Sequence, residues 1–244
     1  MSSLFKGVYC FISGIGLMFK PGVFRYALWP LIINIIIFTM VGLLAYYQFE
    51  RLLEAMLSYL PGWLDWLSYV LWPVFATALG LVFFFTFTLV ANLVASPFNA
   101  PLANAVEQRL GRASNQEGSS TPFIRSALMS VASELRKLVY ILLRAVPLLI
   151  LFVIPVVNIA APFIWIVFSA WMLTLEYADY PMGNHELDFK TQLRYLKKRR
   201  FLSLGFGASV TIALLIPVLN FLVMPAAVAG ATRMWVEELS ANQS

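Results

Sequence analysis

Charge is missing from the chain over stretches longer than a bilayer is thick. Residues 26–49 and 67–106 carry no charged side chain, and a helix rising 1.5 Å per residue crosses ~30 Å of hydrocarbon in ~20 residues. The pattern predicts two long transmembrane helices, over 26–49 and 67–96. Two further apolar blocks, 145–175 and 201–232, follow basic sequence and lead back to it, at 186–200 and at Arg233. Each block should therefore enter and leave on one side, which requires an even number of helices. Two full spans plus a turn need more than ~40 residues, so each block suits two helices of ~15 residues, or ~23 Å.

Both blocks contain the same short pattern, Ile154-Pro155-Val156-Val157-Asn158 and Ile216-Pro217-Val218-Leu219-Asn220. A second proline follows each, Pro162 and Pro225. Proline ends one helix and can start the next, and Asn can cap an unpaired amide. The expectation is two short helical hairpins, over 139–176 with its tip at 155–162 and over 201–236 with its tip at 217–225. Non-helical backbone at such depth survives only when protein or water covers it, so the tips should face one another, another subunit or a wet cavity.

Amphipathic periods fill the remaining segments. Phe5, Tyr9, Ile12 and Phe19 recur at helical spacing, predicting an interfacial helix over 1–20; no small-x-small cleavage site follows, so it reads as retained. Ser96-Pro97-Phe98, followed by Leu102, Val106 and Leu110, predicts a new helix closed by Gly111, within a cytoplasmic helical segment over 97–138. Phe189, Leu193 and Leu196 predict a basic amphipathic helix over 186–200, resting on anionic lipid. The fold class is all-α: one polytopic membrane domain over 1–244.

Composition agrees, with 61% hydrophobic and 12% charged residues against ~45–50% and ~25% in soluble domains. Charge adds orientation. The connection between the first two spans holds Arg51 against Glu50, Glu54 and Asp65, whereas 97–138 and 186–200 are rich in Lys and Arg. The positive-inside rule puts the N-terminus and both basic segments in the cytoplasm. Trp29, Tyr46, Tyr47, Trp63, Trp66, Trp72, Trp171, Tyr177 and Tyr180 lie near the ends of apolar runs, either as headgroup-level rings or as core packing.

Cofactor chemistry finds little to work with. Cys10 is the single cysteine and His185 the single histidine, too few for a disulfide or a thiolate zinc site. There is no Gly-x4-Gly-Lys-Ser/Thr loop, no His-Glu-x2-His and no plausible Ser/His/Asp set. Neither a cofactor nor a nucleic-acid partner is expected, and no enzyme activity. His185 lies in a polar loop, where it either steadies a turn or serves proton coupling.

Several stretches, taken in order, resemble the CysZ family of bacterial inner-membrane sulfate permeases. They are Pro21-Gly22-Val23-Phe24-Arg25-Tyr26 with Leu28-Trp29-Pro30-Leu31-Ile32-Ile33-Asn34; Ala91-Asn92-Leu93-Val94-Ala95-Ser96-Pro97-Phe98-Asn99 with Val106-Glu107-Gln108-Arg109-Leu110; and Phe168-Ser169-Ala170-Trp171-Met172. Asp179-Tyr180-Pro181 with Asn184-His185, and Pro225 to Thr232 with Trp235, complete a match that runs nearly end to end. The resemblance implies an all-helical permease with two long helices and two short hairpins, bringing sulfate into the cell for cysteine biosynthesis. Phe24 stands where the family usually shows the first of two adjacent arginines, leaving Arg25 alone.

Sulfate is a divalent tetrahedral anion, best held by helix N-terminal amides and Arg or Lys donors. Gly22, Val23, Phe24 and Arg25 form the leading candidate site: Gly permits close approach, the starting helix offers amides, and Arg25 supplies a fork of donors. The competing reading is an arginine that snorkels to lipid phosphate and fixes topology. Candidates for a route across the membrane are Asn34, Asn92, Ser96, Asn158 and Asn220, joined by Glu107, Arg109, Arg144 and Arg233 near the cytoplasmic mouth. Asn34 and Asn92 could equally be interhelical hydrogen bonds, and Asn158 and Asn220 helix caps. Glu107 with Arg109 or Arg233 reads as a structural ion pair or a gate. A homo-oligomer is expected, since two full spans and two partial hairpins scarcely enclose a pore. The rival to a permease without ATP hydrolysis is a membrane scaffold or regulatory subunit.

Overall fold

The computed structural model describes residues 2–59, 62, 66–112 and 123–240; Trp63 and residues 113–122 lie outside the described residues. Among the described residues all regular structure is helical. The helices are α1 (Ser3–Met18), α2 (Phe24–Ser58), α3 (Leu67–Arg109), α4 (Phe123–Leu151), α5 (Ala161–Asn184), α6 (Phe189–Lys198), α7 (Arg200–Leu214) and α8 (Pro217–Met234), which widens into a π turn at Trp235–Leu239. Apolar α2 and α5 are each long enough to cross a membrane. The chain divides into two compact units, one of 1–27 with 99–244 and one of 28–98.

The 28–98 unit is a pair of helices, α2 and α3, joined by aromatic packing. Phe49 and Phe75 stack at 4.0 Å between ring centres, and Trp72 meets Tyr46 at 5.1 Å and Phe49 at 4.7 Å. Tyr46 and Trp72 thus pack against each other, and Tyr46, like Trp29, Tyr47 and Trp66, also keeps an exposed face. Pro30 lies inside α2, and the buried Asn34 Nδ2 donates back to the Pro30 carbonyl at 2.9 Å. The bond is within one helix, not between helices.

In the larger unit α1 packs on α7 and α8, and α5 packs on the same two helices. Glycine makes the α1–α7 approach possible: a Cβ at Gly7 would overlap the Leu202 carbonyl, and one at Gly205 the Leu4 carbonyl. Where lipid tails surround helices, such close packing of small residues is a main source of association. Phe206 fills the space below and meets Phe11 edge-on at 6.2 Å. Val210, Ala227, Val228, Ala229 and Met234 are completely buried in the same core. The exposed edge of α1 carries Phe5, Tyr9 and Ile12, and Phe19, just past its end, is also exposed.

Polar ties hold α4, α5 and α6 together. Lys137 Nζ on α4 lies 3.1 Å from both Glu176 and Asp179 on α5, and Gln192 Nε2 on α6 donates to Asp179 Oδ1 at 2.7 Å. Trp171 Nε1 donates to the Tyr140 hydroxyl at 3.0 Å. Asp188 caps α6 by accepting from the Thr191 amide, and its carboxyl is held below the usual range first by the Thr191 hydroxyl, with the amide bond adding to it.

Three sequence expectations need correction. First, no helix starts at 97: α3 continues through Pro97 as one helix of 43 residues, closed as expected by Gly111 at φ 76°. Second, the arms of the first hairpin are not ~15 residues long. α4 has 29 and α5 has 24, because charge ended the count at Arg144 and Glu176 without ending either helix. Third, the second tip is not 217–225 but Leu215 and Ile216. Pro217 opens α8 at its first turn, where a missing amide hydrogen costs nothing, and Pro225 lies inside the helix.

Candidate functional site

The turn between α1 and α2 is built from a short set of backbone bonds. The Leu17 carbonyl accepts from Lys20, and the Lys20 carbonyl accepts from both Val23 and Phe24, each at 3.1 Å. Gly22 has φ 86°, a left-handed conformation that glycine adopts without a Cβ penalty. Val23 is buried and pins the turn to the core. Among the described residues, the amides of Gly22 and Arg25 form no bond to another backbone group. The turn thus offers two amide donors, fewer than an open helix start, since those of Val23, Phe24 and Tyr26 are already used.

The last turns of α3 complete the site. Pro101, Asn104, Ala105 and Gln108 are spaced to share one helical face, and with the Pro21 to Arg25 turn, Tyr26 and Arg109 they line a cavity of about 500 Å³. Arg109 Nη1 donates to the Pro21 carbonyl at 3.0 Å, fastening the turn to α3. Arg25 donates to the Tyr26 hydroxyl at 3.0 Å and lies 4.8 Å from the centre of that ring. Two guanidinium groups and no carboxylate line the cavity, so its field is positive. Asn104 leaves its Oδ1 buried without a hydrogen-bond partner, an amide able to meet a further ligand or water.

Of the candidate anion site, Gly22, Val23 and Arg25 line this cavity and Phe24 does not; Arg109, expected at the cytoplasmic mouth of the route, joins them. Its ring stacks on Phe19 at 5.8 Å and does not line the cavity. Sequence reasoning missed Asn104 and Gln108. Their polar side chains at four-residue spacing were the available signal.

Glu107 lies one turn beyond Asn104 and is 1% exposed. It pairs with neither Arg109 nor Arg233. Its Oε2 sits 3.0 Å from His185 Nε2, and its Oε1 has no hydrogen-bond partner. Burial pushes the Glu107 carboxyl above the ordinary carboxylate range, while the charge of His185 and its hydrogen bond pull it back. His185 ends α5, with its amide donating to the Met182 carbonyl and its ring 5.6 Å from that of Trp235.

The other candidates are dispersed. Arg233 Nε donates to Glu237 at 2.9 Å and the guanidinium lies over the Tyr9 ring at 4.8 Å. Arg144 lies over Tyr140 on its own helix, at 3.5 Å. Asn158 is exposed in a 3-10 turn, Val157–Ile159, and no side chain caps that turn or α5. Asn34 belongs to the two-helix unit. Asn92 and Ser96 lie on α3 and Asn220 in the first turn of α8, with side chains outside those described.

Comparison with known proteins places the chain. A family profile described as Sulfate transporter CysZ/Etoposide-induced protein 2.4 matches residues 10–225. A relative from Pseudomonas fluorescens Pf0-1, named sulfate transporter CysZ, is 44% identical over 231 residues, covering 94% of this chain and 92% of its own. A second of that name, from Salmonella typhimurium LT2, is 39% identical over 233 residues, covering 95% and 92%. The chain belongs to the sulfate transporter CysZ/etoposide-induced protein 2.4 family.

Proposed function

We propose that the chain carries sulfate into the bacterial cytoplasm across the inner membrane, supplying cysteine biosynthesis. It acts as a multi-pass homo-oligomer, a channel or secondary carrier that does not hydrolyse ATP. The observation that carries this reading is the cavity between the α1–α2 turn and α3. It offers a dianion two guanidinium groups, two unengaged amides and no opposing carboxylate. The relatives' name supplies the choice of sulfate among oxyanions.

Purified protein in liposomes tests transport: labelled sulfate should enter faster than into protein-free vesicles, and equal rates would sink the reading in favour of a scaffold or regulatory subunit. Calorimetry tests the site. Arg25→Ala should weaken sulfate binding about tenfold or more, the scale of one lost charge-assisted contact. Unchanged affinity would return Arg25 to anchoring on lipid phosphate.

A further inference from the structure

A second cavity, of about 270 Å³, lies between α6 and the π turn at Trp235–Leu239. Its lining from α6 is Thr191, Arg194, Tyr195 and Lys198, spacings that put all four on one helical face. The opposite face of α6, Phe189, Gln192 and Leu196, is buried. Arg199, Glu238 and Leu239 close the other side.

The charges in this cavity do not cancel. Glu238 is already engaged by two cations, with Lys6 Nζ at 2.7 Å on one oxygen and Arg199 at 3.5 Å on the other. Among the described residues, Arg194 and Lys198 form no ion pair or hydrogen bond. Lys198 lies in the last turn of α6, where a cation answers the helix dipole. Arg194 lies a turn earlier, where the dipole gives no reason for it. The Tyr195 ring packs edge-on against Trp235 at 5.5 Å, which fixes the wall between the two cations.

We infer that this cavity is a second oxyanion site, separate from the α1–α2 cavity and built for a phosphate group. Arg194 supplies a fork of donors, Lys198 a point charge, and the Thr191 and Tyr195 hydroxyls reach the remaining oxygens. The phosphate belongs either to an anionic phospholipid headgroup or to a free oxyanion; the donors required are the same.

The test compares the full-length protein with Arg194→Ala/Lys198→Ala and with Lys190→Ala/Lys197→Ala, which removes as much charge from α6 outside the cavity. All three carry Arg25→Ala, so that the first cavity does not report. Inorganic phosphate binding is measured by calorimetry in neutral detergent. Retention of phosphatidylglycerol is measured by native mass spectrometry after reconstitution in phosphatidylcholine with phosphatidylglycerol. The cavity variant should lose about tenfold or more in at least one measurement, with the control variant close to the parent. Loss of phosphate binding alone identifies a free oxyanion, and loss of phosphatidylglycerol alone a headgroup. Parental behaviour of the cavity variant in both, or equal losses in both double variants, overturns the site. All four side chains are exposed, so the truncations leave the core intact.

Discussion

In the α4–α5 hairpin, Ile154 to Asn158 lie in the turn; in the α7–α8 hairpin the matching Ile216 caps a helix and Pro217 opens it. The same five-residue pattern therefore yields a loop over 152–160 in one place and a two-residue bend in the other. What differs is the partner. Beyond Pro217, the residues Val223, Ala226 and Ala227 are buried, so a helix that runs through Pro225 gains packing to offset the missing bond. Around Pro155, Val153 and Val156 are each 81% exposed and Ile159 is 73% exposed. With nothing to pack on, the first helix start waits for Ala161 and Pro162. The pattern marks a bend, and the neighbours decide its length.

The largest effect that would test this contrast lies in the core of the second hairpin. Phe206→Ala should cost about 3–5 kcal/mol of stability, and Phe163→Ala, on an exposed face of the first, about 0.5 kcal/mol or less. Denaturant unfolding in detergent reads both, and similar losses would erase the distinction. The next effect concerns the tips. Val156 has φ 70°, strained for a β-branched residue, whereas Ile216 sits at an ordinary φ of −97°. Val156→Gly should therefore gain about 1 kcal/mol and Ile216→Gly should gain nothing, a difference visible in paired thermal melts.

The outer ends of the hairpins differ electrostatically. α5 ends at His185, paired with buried Glu107, and α8 ends at the partly exposed Arg233–Glu237 pair. A carboxyl whose folded pKa is raised stabilises fully below its unfolded value and loses that contribution as pH rises through the folded one. Wild-type stability should therefore fall as pH climbs above the ordinary carboxylate range, and Glu107→Gln should flatten that slope. Melting temperature against pH in detergent checks it; an unchanged slope would show that Glu107 is not the group responsible. The smallest effect is expected from Glu237→Gln, at most about 0.5 kcal/mol and vanishing in high salt.

Much of this architecture was legible because lipid and helix geometry impose counting rules. Uncharged runs gave α2 and most of α3, Gly111 marked the end of α3, and the period of Phe189, Leu193 and Leu196 marked α6. The rules failed where proline was read as a stop. An apolar setting penalises opening the backbone, so α3 passes through Pro97 and α8 through Pro225. In the site, Gly22 and Arg25 were readable because an anion needs their chemistry, whereas Arg109 was expected at the cytoplasmic mouth of the route and not beside them. The Glu107–His185 contact was not readable. The two are 78 residues apart, and no local period links them.

Because α1 is buried against α7 and α8, it is made well before it can find its place. Its glycine-lined face stays without a partner until α7 and α8 emerge, more than 180 residues later. At ~5–20 residues per second that is roughly 10–40 s of synthesis. Biogenesis must shelter α1 for that interval, and a chain cut short before α7 leaves the membrane with an unfinished first helix.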